Sequence, residues 1–168
     1  MYKNCSKSLA THAAEVFHTM TGHKPSKVEI LTTSTNETEH HFTIGERVEF
    51  QGKDRKGLNV KGFFICAFET MDAALRFSQD ISTYLGLTTS NTKGEADNYI
   101  GEFLNVVIGL TCSAWADHGL RVDFNPPEKL QEHSIDKAPL SGHFFQVIIE
   151  ASSFYKTTLF LHFQPEST

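Results

Sequence analysis

The run Phe63-Phe64-Ile65-Cys66-Ala67-Phe68 constrains the fold more than any other stretch of this chain. Consecutive apolar residues leave no polar face, so a strand made of them has to sit inside a sheet, covered on both sides. The neighbouring segments supply that sheet. Val28 to Thr35 is rich in β-branched residues and suits a strand. Phe42, Ile44, Val48 and Phe50 mark a longer one, bent or bulged near Gly45. Gly52 to Gly57 is a polar, glycine-bounded hairpin tip. Arg121 to Phe124 is a short strand ended by Pro126-Pro127, while Gly142 to Ala151 and Tyr155 to Phe163 are two closing strands. Glu128 to Pro139 is charged and irregular and reads as a surface loop.

Three helices complete the pattern. Leu9, Ala13, Val16, Phe17 and Met20 recur at helical spacing between Ser6 and the stop at Gly22. Thr70 caps a second helix, Asp72 lies in its first turn, and Gly86 ends it. After a Thr/Ser/Asn-rich linker, a long helix is expected from Glu95 to His118, with Gly119 as its stop. The fold class that follows is an α/β domain with a sheet of about six strands and helices packed on it.

Composition narrows the class of function. A chain of 168 residues and 18.8 kDa suits one domain. With 39% hydrophobic and 21% charged residues it has material for a core, and its net charge of -5 argues against general affinity for nucleic acid or anionic membrane. The 3 cysteines, Cys5, Cys66 and Cys112, lack the spacing of a zinc site or a redox pair, which points to a reducing, cytoplasmic compartment. No leader is visible at the N-terminus, and no stretch reaches the roughly 18 apolar residues of a membrane span. None of the 9 histidines has a partner at ligand spacing, so no metal site of its own is expected.

The most informative segment is Asn98 to Ala116. Ile100, Phe103, Leu104, Val106, Val107, Ile108, Leu110 and Trp115 are enough to bury most of its circumference. One stripe stands apart: Asn98, Glu102, Asn105, Gly109, Cys112 or Ser113, and Ala116. It is polar at its start and small from Gly109 onward. A solvated face is one reading of it. A docking face is the other, because Asn is a poor helix-interior residue and Gly costs about 1 kcal/mol there relative to Ala. Glu102 and Asn105 at i,i+3 would project together, one an anionic anchor, the other an amide able to donate and accept at once. Cys112 has no acid or base placed to activate it and reads as a core cysteine, and Trp115 reads as core.

A faint internal repeat pairs Glu15 to Gly22 with Glu102 to Gly109, and Gly62-Phe63-Phe64-Ile65 with Gly142-His143-Phe144-Phe145. This divides the chain into halves, 1–90 and 91–168, each a helix followed by strands.

These residues resemble the CheC/CheX family of chemotaxis phosphatases, and the CheX branch in particular. The active helix of that family carries Glu-x-x-Asn, commonly continued as Asn-x-x-x-Gly with a proline some way downstream. Here the matching residues are Glu102-Phe103-Leu104-Asn105, Gly109 and Pro126-Pro127. The first helix, from Glu15 to Pro25, and the stretch from Gly62 to Ile81 resemble the family as well. Two positions depart from it. Asn98 stands where the CheC branch often has Asp or Ser, and His18 stands where a second site would need Asn, so Glu15/His18 reads as a vestige. The resemblance implies a homodimeric protein with one site per chain that hydrolyses the aspartyl phosphate of a CheY-like receiver domain. Asn105 would orient the attacking water and Glu102 would pair with the receiver's lysine, with Asn98 and Gly109 at the docking surface. The chain would need no cofactor, since the phosphorylated receiver brings its own Mg2+. A non-catalytic adaptor for a signalling protein on the same fold is the alternative, and a structural subunit, as among flagellar switch relatives, is a third reading.

Overall fold

The structure, a computed structural model, describes residues 1–32, 39–136, 142–151 and 155–164. Along the chain run α1 (Tyr2–Thr21), β1 (Lys27–Thr32), β2 (Glu39–Lys53), β3 (Asn59–Phe68), α2 (Met71–Tyr84), α3 (Lys93–Asp117), β4 (Arg121–Phe124), β5 (Glu128–Asp136), β6 (His143–Ala151) and β7 (Tyr155–Gln164). All strand pairings are antiparallel, in the order β1-β6-β7-β3-β2-β4, with β5 also paired to β2.

The apolar run lies where its composition requires. β3 is flanked by β2 and β7, and its side chains divide between two cores. Phe64, Cys66 and Phe68 join the main core with all three helices; Phe63, Ile65 and Ala67 join a second cluster with Phe42, Phe144 and Phe160. No helix residue belongs to that second cluster. Leu130 of β5 packs against it, the His40 ring meets Phe160 at 4.8 Å, and the Arg47 guanidinium lies 4.5 Å from the centre of the Phe63 ring.

The expected helix stops are present. Gly22 and Gly119 close α1 and α3 at φ 74 and 82, a left-handed conformation that suits glycine. Thr70 Oγ1 accepts the Ala73 amide at 3.2 Å, as a capping residue should. Cys112 and Trp115 are core residues, and burial pushes the Cys112 thiol up to about 12. The indole Nε1–H donates to the Cys5 carbonyl at 3.3 Å.

Three expectations need correction. The segment expected as a charged loop forms β5 over Glu128–Asp136, a seventh strand; Pro139 lies outside the described residues, as do 33–38. Strand formation there depends on a free edge: the first half of β2 offers one from Glu39 to Arg47, and propensity yields to that context. β2 also runs without a break in register against β3 from Ile44 to Lys53, so Gly45 marks no bulge. Finally, α3 is long and apolar enough to cross a membrane by length and composition, although half of that stretch is buried inside the fold.

Candidate functional site

α3 starts from an anchored end. Thr92 Oγ1 accepts the Glu95 amide at 3.2 Å, and the Glu95 carboxylate gathers donors from the preceding loop and from α2. These are the Ser90 amide at 2.7 Å, the Ser90 hydroxyl, Thr89 at 2.9 Å and Ser82 at 3.0 Å. The bonds from Ser90 lead in lowering the Glu95 carboxyl to about 2. The readable signal was Thr92 three places before Glu95, the residue types and spacing of a capping box; the bonds of Glu95 to the preceding loop and to α2 were not readable.

From there the helix lays Ile100, Phe103, Leu104, Val107, Ile108, Thr111 and Trp115 against the core. The remaining face is open. Asn98, Glu102, Asn105, Gly109, Ser113 and Ala116 are on the outer side, whereas Cys112 turns inward, so the stripe runs through Ser113. Glu102 and Asn105 make no hydrogen bond or ion pair with any described residue. A methyl placed on Gly109 would meet nothing within 4 Å, so the backbone there is bare.

Two neighbours were expected in the core and are not. Val106 and Leu110 are each 44% exposed and form an apolar border along one flank of the stripe. At 100° per residue they fall just beyond Glu102 and Ser113 on the helical wheel, which was a readable signal. The face therefore offers a carboxylate, a carboxamide, a bare patch of backbone and a hydrophobic margin. Such a set can grip a partner, exclude water from its rim and hold one water by the amide. Glu15 and His18, the matching pair on α1, are also exposed. No group of three or more metal-ligating side chains occurs among the described residues.

No protein-family model matches the chain, and no curated protein does. Solved structures do. The chemotaxis protein CheX of Desulfovibrio desulfuricans superposes with a TM-score of 0.77 at 15% identity, covering 96% of this chain and 99% of that one. CheX of Vibrio vulnificus gives 0.73 at 18% identity, covering 96% and 99%. CheX in the CheX-CheY-BeF3-Mg2+ complex of Borrelia burgdorferi gives 0.70 at 12% identity, covering 95% and 97%. The sheet, the helices and their order are thus those of the CheX- and CheC-like chemotaxis proteins, and the chain shares their fold.

Proposed function

We propose that this chain is a phosphatase acting on the aspartyl phosphate of a CheY-like receiver domain. The observation that carries the reading is that Glu102 and Asn105 stand side by side on an open helix face, unengaged by any described residue. Hydrolysis of an acyl phosphate needs a water in line with the scissile P–O bond, and phosphoryl transfer is catalysed largely by positioning and electrostatics. Asn105 accepts and donates without taking the water's proton, so it aims the water and leaves its nucleophilicity intact. Glu102 pairs with a cation beside the phosphoryl group and sets the docking register, a charge-assisted contact worth about 1.5–3 kcal/mol. Asn98 and the bare Gly109 extend the contact along the same face. The divalent ion belongs to the phosphorylated partner, whose presence places the chain in the cytoplasm. On α1 His18 stands in the place of the amide, and Glu15/His18 is read as a vestige, which leaves one site per chain.

A second copy joins through β1. That strand lies at the end of the sheet order, pairs with β6 alone among the described strands, and exposes Val28, Ile30 and Leu31. Antiparallel pairing centred on Val28 sets Lys27 against Glu29 of a second copy at two places, a self-complementary edge.

The adaptor reading keeps one favouring observation, because Val106 and Leu110 would support docking with no chemistry. One experiment separates the two. Phosphate release from a Mg2+-loaded phosphorylated receiver is followed with and without the protein. Acceleration that disappears in Asn105→Ala while binding persists, together with weakened binding in Glu102→Ala, supports the phosphatase. Capture of the receiver at its spontaneous rate of hydrolysis supports the adaptor.

A further inference from the structure

Behind the open face of α3 lies a second pair of acids. Glu46 of β2 and Asp97 of α3 are 4% and 5% exposed. Glu46 Oε2 and Asp97 Oδ1 have no hydrogen-bond partner among the described residues. Asp97 Oδ2 has Lys93 at 3.4 Å and Lys129 of β5 at 3.9 Å. A methyl built on Gly101 would stand 2.7 Å from Glu46 Oε2 and 2.9 Å from Oε1, closer than real contacts allow. The carboxyl therefore occupies the space that a side chain at 101 would need, and it lies directly against the helix backbone.

We propose that Glu46 is a positioning residue for the α3 site, acting through Gly101. This rests on the phosphatase reading above. Asp97, Gly101 and Asn105 form one i,i+4 row of the helix. The Gly101 carbonyl accepts the Asn105 amide within the helical ladder, and a helical side chain leans over its preceding turn, so Asn105 covers the stretch that Glu46 supports from below. The groups facing Glu46 are Asp97 on α3, itself paired with Lys93, Lys129 on β5 and Cys66, its register partner on β3. No donor reaches its orphaned oxygen, so ionisation there leaves a buried charge without a hydrogen bond to that atom. Burial raises the Glu46 carboxyl above its ordinary 4.5; Lys129 opposes that rise and Asp97 adds to it. As pH climbs through that raised value, a charge appears against the helix backbone and the seat loosens. Such a group favours the folded state below its unfolded pKa, and that contribution is lost as pH rises through the folded pKa.

The test reads the seat without using activity. The Glu46 carboxyl carbon is titrated by NMR, and amide hydrogen exchange at 101–105 is measured over the same pH series in wild type, Glu46→Gln and Glu46→Ala. The expected result is a Glu46 titration above its ordinary 4.5. Protection of these amides, with the intrinsic base-catalysed rise in exchange divided out, should fall several-fold through the same window in wild type and stay flat in Glu46→Gln. Glu46→Ala should lose protection at every pH and, at a pH below the Glu46 titration, slow phosphate release about tenfold, a loss that the conservative Glu46→Gln rescues there. An ordinary titration, or equal protection in all three proteins, overturns the proposal. A wild-type protein that never speeds phosphate release overturns the phosphatase reading instead, with the titration and exchange unaffected.

Discussion

Replacing Asn105 by Ala separates chemistry from folding. The side chain is exposed and makes no hydrogen bond with any described residue, so its removal leaves neither a cavity nor an orphaned group. Ala is the better helix former, and the exchange should stabilise α3 by up to about 0.7 kcal/mol. The catalytic loss has the opposite sign. Losing the group that aims a water typically costs on the order of 10²-fold, or about 2.7 kcal/mol of transition-state stabilisation. A receiver phosphorylated by a small phosphodonor in excess Mg2+ serves as substrate, phosphate release is followed under single-turnover conditions, and unfolding is measured by urea titration of both proteins. The expected outcome is a midpoint equal to or slightly above wild type, with the accelerated component of hydrolysis lost and receiver binding within about threefold. An unchanged rate would refute the role given to the carboxamide. A lost rate with a lowered midpoint would show that the residue acts through the fold.

Other expectations follow from the same geometry. The Glu95 carboxyl is held at about 2, well below 4.5. Its stabilising contribution is full above the unfolded pKa and is lost as pH falls towards 2. The melting temperature should decline over that range in wild type, with a shallower decline in Glu95→Gln. Trp115→Ala empties a site 1% exposed and removes the bond to Cys5, so it should cost about 3–5 kcal/mol in a denaturant titration. If chains pair through β1, Glu29→Lys should shift the protein towards monomer in light scattering, and adding Lys27→Glu should restore the pair; a charge-swapped double variant that stays monomeric would remove β1 from the interface.

Legibility in the sequence followed physical strength. Continuous apolar runs and helix stops could be read because in each a single local effect outweighs everything around it. β3 had to be buried on both faces, and Gly22 and Gly119 had to end helices. β5 was hidden because its pairing depends on an edge that exists only once β2 has formed, and its own residues, Glu128 to Asp136, carry no alternating pattern. Glu102 and Asn105 could be found as a pair since helical spacing alone sets them together. Glu46 could not, because its neighbours Asp97 and Gly101 are more than fifty positions away and only the tertiary structure brings them against it.

Gly109 decides between a solvated face and a docking face. α3 carries Asn98, Gly101, Asn105 and Gly109, a set costing about 3 kcal/mol against alanine. Burial of Ile100, Phe103, Leu104, Val107, Ile108 and Trp115, at about 1.5–3 kcal/mol each, offsets that cost several times over. The core side can thus carry a poor outer side, but it does not explain why the outer side is poor. Gly101 has its reason in Glu46. Gly109 has none among the described residues, since a methyl there meets open space. Gly109→Ala should therefore stabilise the free protein by about 1 kcal/mol, raising the melting temperature by roughly 2–4 °C for a chain of this size. If a partner's backbone or phosphoryl pocket approaches that bare turn, the same methyl should weaken receiver binding at least tenfold. Stabilisation with receiver affinity unchanged would mean that nothing closes on Gly109, and the stripe beyond Asn105 would then be solvent-facing.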